Sequence, residues 1–235
     1  MWALIVSNGI QGGIPAAIAG GGPHPDGPQP DGPGIDYTVA TTGPGFDPDL
    51  SGIDLLIVPN GSDHVALGRI APKIRDFLDC GGTLFCFDGW ITPWIPGHRW
   101  VMDSTRRTAD IRYRPRDVLP GVLDGVDIDE LIFRQGVSGW WACGWIDPAP
   151  GSTVVLEDGW GRAIVVVDSV STPGMIVLTA SGPLGPGRAP QDEMPEDAEG
   201  AGRPHATTRL YDNLIALART RAQPAQNPAD RRKAP

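Results

Sequence analysis

Short runs of apolar residues, separated by glycine, proline and aspartate, form the main pattern along this chain. Runs of four to six apolar or β-branched residues between such breaks are typical of buried β-strands. The run that begins at Asp54 and ends before Pro59 is the clearest of them. The pattern predicts eight strands, at residues 2–7, 36–42, 54–58, 83–87, 130–134, 153–157, 163–168 and 175–180.

Two segments show helical periodicity instead. Between residues 67 and 78 the apolar side chains recur at offsets of three and four, which predicts an amphipathic helix. Asp63 stands where a capping residue is needed, and glycine at 81 and 82 ends the segment. A closing helix is predicted over residues 205–219, and a short, weaker one over residues 15–19.

The order of these elements predicts a flavodoxin-like three-layer α/β sandwich with a mainly parallel central sheet. Glycine-containing connections at residues 158–161 and 172–174 suit hairpins, so the C-terminal part of the sheet is expected to be antiparallel. Residues 90–120 show no clear period and are interpreted as irregular. We expect one domain over residues 1–220, followed by a disordered polar tail at 221–235.

The amino-acid composition predicts unusually long loops around this core. The 235 residues include 32 glycines and 25 prolines, about twice the usual share, while 40% of the chain is hydrophobic. The net charge of −9 argues against a nucleic-acid partner, because phosphate binding needs clustered Lys and Arg. The first apolar run is too short for a secretion signal or a membrane span. Three cysteines without a C-x-x-C spacing indicate a reduced, cytoplasmic protein.

Several motifs, taken in order, resemble the class I glutamine amidotransferase-like superfamily, nearest its trehalose-utilisation-protein-like branch. The resemblance covers most of residues 1–220 and implies the flavodoxin-like fold. It is carried by Ile53-Asp-Leu-Leu-Ile-Val-Pro-Asn, Ile74-Arg-Asp-Phe-Leu-Asp-Cys-Gly-Gly, Thr83-Leu-Phe-Cys-Phe-Asp-Gly, Gly161-Arg-Ala-Ile-Val-Val-Val-Asp, Gly174-Met-Ile-Val-Leu-Thr-Ala and Asn213-Leu-Ile-Ala-Leu-Ala.

The departures from that family predict a domain without glutaminase activity. The family places its nucleophilic cysteine in the turn after the strand at 83–87, where this chain has Asp88, Gly89 and Trp90. Cys86 comes two residues earlier, inside the strand, and is expected to be a buried, inert thiol. The His-x-Glu of the family would fall near residues 180–182, which contain no histidine. Without a thiolate and a base there is no activated nucleophile.

Polar residues follow three of the predicted parallel strands. Ligands of such sheets bind beyond the carboxyl ends of the strands, so these residues are expected to be neighbours. They are Asn8, Asn60, Asp63, His64, Asp88 and Trp90. Asp88 and His64 are the candidate catalytic pair, with Asp63 as a further carboxylate for a cation or a proton transfer. The alternative is that Asp63 caps a helix, His64 is solvated and Asp88 shapes a turn.

Aromatic residues are concentrated in one part of the chain. Six of the eight tryptophans lie between residues 90 and 145, namely Trp90, Trp94, Trp100, Trp140, Trp141 and Trp145. Indole faces suit sugar stacking, and they equally suit the filling of a loop-rich region or a subunit interface. His98, in the same region, is a candidate ligand or base, with a structural role as the alternative.

The predicted function is the binding of a small polar ligand. The resemblance to the trehalose-utilisation branch implies that this ligand is a carbohydrate. The expected ligand contacts are Asn8, Asn60, Asp63, Trp90, Trp94, His98 and Trp141. One alternative is a hydrolase or isomerase that uses Asp88 with His64 or His98, with or without a metal. Another is a structural module that forms homo-oligomers. No residue is assigned as a metal ligand. No cofactor is predicted, because the glycine-rich turns near residues 12 and 20 lack a nucleotide-binding spacing.

Overall fold

A computed structural model describes residues 1–7, 35–87, 89–107, 110–132, 140–182 and 206–221. The strands in these ranges are β1 Trp2–Ser7, β2 Asp36–Thr41, β3 Leu55–Val58, β4 Thr83–Cys86, β5 Arg99–Met102, β6 Tyr113–Pro115, β7 Gly144–Asp147, β8 Thr153–Asp158, β9 Ala163–Asp168 and β10 Met175–Thr179. The helices are α1 His64–Arg69, α2 Ala71–Asp79, α3 Ile128–Ile132 and α4 Ala206–Arg221. The predicted helix at residues 15–19 lies outside the described residues.

One mixed sheet contains all ten of these strands. Five of them, in the order β2-β1-β3-β4-β10, pair in parallel. The pairs made by β9 with β10 and with β8 are antiparallel, which confirms the hairpins predicted for residues 153–179. The chain is therefore a mixed α/β protein with few helices in its described parts. A flavodoxin-like three-layer sandwich remains a prediction.

The register of the parallel strands aligns their carboxyl ends. Val58 of β3 pairs with Cys86 of β4, and Cys86 in turn pairs with Leu178 of β10. The residues that follow these three strands therefore meet at one end of the sheet. We call this end the carboxyl edge, and define it by residues 59–64, 87, 89–90 and 180–182.

The central strands are buried along their whole length. Every residue of β3, β4, β9 and β10 is buried. Strands that are covered on both faces need continuous apolar runs rather than alternation, and this is why the sequence pattern located them correctly. Tyr211 of α4 packs edge-on against the rings of Phe85 and Phe87, so this helix covers the face to which both phenylalanines point.

The helix predicted over residues 67–78 is present as two consecutive helices. Asp63 caps the first one by accepting hydrogen bonds from the backbone N–H groups of Val65 and Ala66, as expected. The break falls at Ile70, because Pro72 lacks the N–H that a continuous helix would donate to the carbonyl of Gly68. Proline is favoured in a first turn, so a new helix begins there instead.

The strand predicted at residues 130–134 is wrong, because Ile128–Ile132 is the helix α3. The carboxylate of Asp127 accepts hydrogen bonds from the N–H groups of Asp129 and Glu130, and acidic residues fill the first turn. This local capping outweighs the apolar triplet that suggested a strand. Residues 133 and 134 lie outside the described residues.

Residues 90–120 are not irregular throughout, because they contain β5 and β6, and β7 follows at Gly144–Asp147. These strands have only three or four residues, too few for a recognisable period. The closing helix extends to Arg221, one residue into the predicted tail, and the rest of that tail lies outside the described residues. Across the described ranges, no helix has the length and apolar character needed to cross a bilayer.

Candidate functional site

His64 is the first residue of α1 and lies at the carboxyl edge just after β3. Its side chain is largely buried, with 9% of the residue exposed. The indole Nε1–H of Trp94 donates a hydrogen bond of 3.1 Å to Nδ1 of His64, and the two rings stack at 6.1 Å between centroids. Because Nδ1 accepts this bond, the neutral ring carries its proton on Nε2.

Burial keeps this imidazole neutral. It lowers the pKa of His64 to about 4, and the nearby carboxylate of Asp63 opposes that shift only in part. Nε2–H is a buried donor, and within the described part of the chain it has no hydrogen-bond partner. A buried donor of this kind costs about 1–3 kcal/mol unless something accepts from it.

Trp90 provides a second donor of the same kind. It lies four residues after β4, the neighbour of β3 in the sheet, and is almost completely buried. Its Nε1–H also lacks an acceptor among the residues that the structure describes. The ends of two adjacent strands are thus each followed by a buried N–H group without a partner.

Asn60 connects the end of β3 with the end of β10. Its carboxamide lies so close to Gly182 that a Cβ atom on this glycine would be 2.3 Å from Nδ2 of Asn60. Because β4 lies between β3 and β10 in the sheet, the contact between Asn60 and Gly182 crosses the end of β4. Ser181, beside Gly182, is completely buried at the same edge.

His98 belongs to a different part of the molecule. Its Nε2 lies 2.9 Å from the carboxylate of Asp168, and its Nδ1 accepts a hydrogen bond from the backbone N–H of Ala149. Asp168 ends β9 and pairs with Ile176 near the beginning of β10. The partner of His98 is therefore at the end of β10 opposite the carboxyl edge, and both ring nitrogens of His98 are already engaged.

The His98–Asp168 pair is buried and fully hydrogen-bonded. Burial lowers the pKa of His98, although the hydrogen bond and charge of Asp168 oppose the shift. Burial acts to raise the pKa of Asp168, but hydrogen bonds from Ser171, Val170 and His98 lower it overall. A carboxylate with this many donors is stable in a buried place, which indicates a structural pair.

The other predicted contacts have varied surroundings. Trp94 is buried beside His64, whereas Trp141 is half-buried and its Nε1 has no partner in the described residues. Asn8 and Asp88 lie outside the described residues. In the tryptophan-rich region Trp90, Trp94, Trp100 and Trp140 are core residues, while Trp141 and Trp145 are half-buried.

Cys86 lies in the core, as its place within a strand predicts. It is completely buried in β4, with its Sγ 3.4 Å from the backbone carbonyl oxygen of Phe87. The described residues contain no group of three or more His, Cys, Asp or Glu side chains arranged to hold a metal ion.

Sequence reasoning did not select Ser181 as a site residue. It noted residues 180–182 only as the place where the histidine of the glutaminase family is missing. The available signal was a triplet of small residues, Ala-Ser-Gly, immediately after a buried parallel strand. Small residues at that position leave room for a ligand at the edge of the sheet.

Comparisons with known proteins show a likeness of fold. No family model and no curated protein matches this chain. The solved structure of cytoplasmic protein STM1381 from Salmonella typhimurium LT2 is similar, with 12% identity over 93% of this chain and 99% of that chain and a TM-score of 0.53. The structure of cytoplasmic protein STM3548 from Salmonella typhimurium is also similar, with 12% identity over 92% of this chain and 98% of that chain and a TM-score of 0.54. At this identity the likeness concerns the fold alone.

A putative ThuA-like protein from Bacteroides uniformis is also similar, with 11% identity over 92% of this chain and 90% of that chain. Its TM-score is 0.43, so this likeness carries no conclusion about the present chain.

Proposed function

We propose that this chain is a glutaminase-inactive, flavodoxin-like domain of the glutamine amidotransferase-like superfamily that binds a small neutral polar ligand, a carbohydrate, at the carboxyl edge. The observation that carries the proposal is a pair of buried donors, His64 Nε2–H and Trp90 Nε1–H, which follow two adjacent strands and have no acceptor among the described residues. Native proteins pair their buried donors, so such groups at a ligand-binding edge are explained by a ligand that accepts from them.

The chemistry of the donors restricts the ligand. An indole N–H can only donate, and Trp94 holds the neutral imidazole of His64 in the tautomer that donates through Nε2. The ligand must therefore present acceptor oxygens. The negative charge of Asp63 beside His64 disfavours an anionic ligand and favours neutral hydroxyl oxygens. The resemblance to the trehalose-utilisation branch supplies the direction towards a sugar.

His64 is proposed as a binding residue, although the sequence suggested a catalytic one. A general base needs a free ring nitrogen with a pKa near the working pH. Nδ1 of His64 is occupied by the N–H of Trp94, Nε2 carries the proton, and the pKa lies near 4. Cys86, buried within β4, likewise has no nucleophilic role in the proposal.

The proposed setting is the cytoplasm of a cell, with no nucleic-acid partner. The acidic net charge supports the second point, since it would oppose the approach of a phosphate backbone. The chain has three cysteines without a C-x-x-C spacing, which suits a reducing compartment. Light scattering of the purified protein measures whether this domain forms a homo-oligomer.

The proposal is tested by titrating the protein with trehalose, maltose, sucrose, glucose and myo-inositol while its tryptophan fluorescence is recorded. Calorimetry then measures the affinity for any sugar that produces a response. Trp90→Phe keeps an aromatic ring and removes the N–H donor, so we expect it to weaken binding about tenfold, the value of one hydrogen bond. Trp160→Phe is the matched control, because Trp160 is exposed and stacks against Arg106 and Arg162 on the surface.

Two results would count against the proposal. A wild-type protein that shows neither a fluorescence change nor heat with any sugar of the panel does not bind carbohydrate. Equal affinities of wild type and Trp90→Phe would mean that the Trp90 donor does not contact the ligand.

A further inference from the structure

We propose that the hydroxyl group of Ser181 is a further contact for the carbohydrate. This inference rests on the proposed function, since it concerns the same carboxyl edge. His64 and Trp90 supply donors after β3 and β4, and Ser181 supplies a group that both donates and accepts after β10, the next strand in the sheet.

Among the described residues, the Ser181 hydroxyl is the third buried polar group at this edge without a partner. The residue is completely buried, and its Oγ forms no hydrogen bond with any part of the chain that the structure describes. This contrasts with Thr179, two residues earlier and equally buried, whose hydroxyl donates a bond of 2.7 Å to the carbonyl of Ser181. Two neighbouring buried hydroxyls thus differ in whether the protein itself satisfies them.

The backbone around Ser181 is held on both sides. Its own carbonyl accepts from Thr179, and the carbonyl of Gly182 accepts a bond of 3.1 Å from the hydroxyl of Tyr211. Tyr211 in turn accepts a bond of 2.6 Å from the indole N–H of Trp140 and packs against Phe87. The main chain at this point is therefore pre-organised, whereas the Ser181 hydroxyl has no partner among the described residues.

The side chain of Asn60, which follows β3, lies close to Gly182, the residue after Ser181. A Cβ atom at position 182 would approach the Asn60 carboxamide to 2.3 Å, so a larger residue there would require the Asn60 side chain to move. The segment after β3 thus approaches the segment after β10. The approach brings an amide, which can donate and accept, next to the Ser181 position.

The energetics separate a binding role from a structural one. A hydroxyl that stabilises the fold has a partner in the fold, and its removal lowers stability. A buried hydroxyl without a partner is instead a cost to the ligand-free protein, and its removal is neutral or stabilising. Retention of such a cost is typical of residues kept for function.

The experiment compares Ser181→Ala with Thr179→Val, which removes the neighbouring hydroxyl that does have a partner. Urea denaturation is followed for wild type and both variants, and trehalose is titrated by calorimetry, or in its place the panel sugar with the largest response. We expect Ser181→Ala to keep or raise the denaturation midpoint and to weaken sugar binding about tenfold. Thr179→Val is expected to lower the midpoint.

Each other outcome overturns the inference. If wild type binds the sugar and Ser181→Ala binds it equally well, the Ser181 contact is wrong while the proposed function stands. If Ser181→Ala lowers the midpoint as much as Thr179→Val does, the hydroxyl is structural. If wild type binds no sugar of the panel, the proposed function fails and this inference fails with it.

Discussion

His64 and His98 occupy two regions that look alike by burial and differ in hydrogen bonding. Both imidazoles are buried, both have a lowered pKa, and both accept an N–H at Nδ1, from the indole of Trp94 and from the backbone of Ala149. Nε2 of His98 meets Asp168, whereas Nε2 of His64 has no partner in the described residues. An unmet hydrogen bond, rather than burial or an altered pKa, is therefore the difference between these two histidines.

The carboxylate that contacts His98 is well paired. Asp168 also accepts hydrogen bonds from the N–H groups of Val170 and Ser171 and from the Ser171 hydroxyl. The hydroxyl groups of Ser152 and Thr172, near this pair in sequence, lack a partner among the described residues, so the contrast concerns the two imidazoles themselves. At the carboxyl edge, Trp90 and Ser181 resemble His64 in having polar atoms without partners among the described residues.

The largest expected effect is the loss of stability when the His98–Asp168 pair is removed. His98→Ala should lower the free energy of unfolding by about 3 kcal/mol or more, because it removes a donor from a buried carboxylate and leaves the Ala149 N–H unpaired. His64→Ala should lower it less, since the described residues supply the His64 ring with one hydrogen bond only. Urea denaturation of the two variants measures the difference. Equal losses of unfolding free energy in the two variants would contradict the proposed difference between His64 and His98.

The second effect is on the pH dependence of stability. A histidine whose folded pKa lies below its unfolded value of 6.5 opposes protonation, so the unfolded state binds more protons and stability falls as the pH decreases. For His64 the fall runs from about pH 6.5 to about pH 4 and amounts to about 3 kcal/mol. His98 acts in the same direction.

Denaturation midpoints at several pH values between 7 and 4 measure this fall for wild type and for His64→Ala. The variant should lose the part due to His64 and keep the part due to His98. An unchanged slope in the variant would show that the folded protein protonates His64 as readily as the unfolded chain does.

The smallest effect concerns the tautomer of the ring. Nitrogen-15 NMR of the imidazoles should show both histidines protonated at Nε2 in the wild type. Trp94→Phe removes the donor to Nδ1 of His64 and should cost about 1 kcal/mol of stability. Its NMR signals should show a mixture of tautomers at His64 and no change at His98. A change at both residues would mean that the two regions are coupled.

Much of the parallel sheet could be predicted from the sequence. The strands β1, β3, β4 and β10 are continuous apolar runs because both of their faces are covered. Such runs can be recognised in the sequence without knowledge of the fold. The three-residue strand β6 and the four-residue strands β5 and β7 contain no such run. The helix α3 was missed because one capping aspartate, Asp127, outweighed the apolar residues after it.

The site was predictable in part for a similar reason. Residues that follow parallel strands come to the same end of a sheet, so the placement of Asn60, Asp63, His64 and Trp90 at one edge needed only the strand positions. His98 was grouped with them by its place in the chain, yet Asp168, seventy residues later, holds it.

The sequence by itself determined the positions of the central buried strands, which aspartate caps α1, and that Cys86 lies inside a strand. These properties depend on neighbours within a few residues along the chain. Only the tertiary structure decided which polar atoms are satisfied. Trp94 fixes the tautomer of His64 from thirty positions away, and Tyr211 holds the backbone beside Ser181 from α4. Hydrogen bonds join atoms that are close in space, and no local pattern of hydrophobic and polar residues records such a pairing.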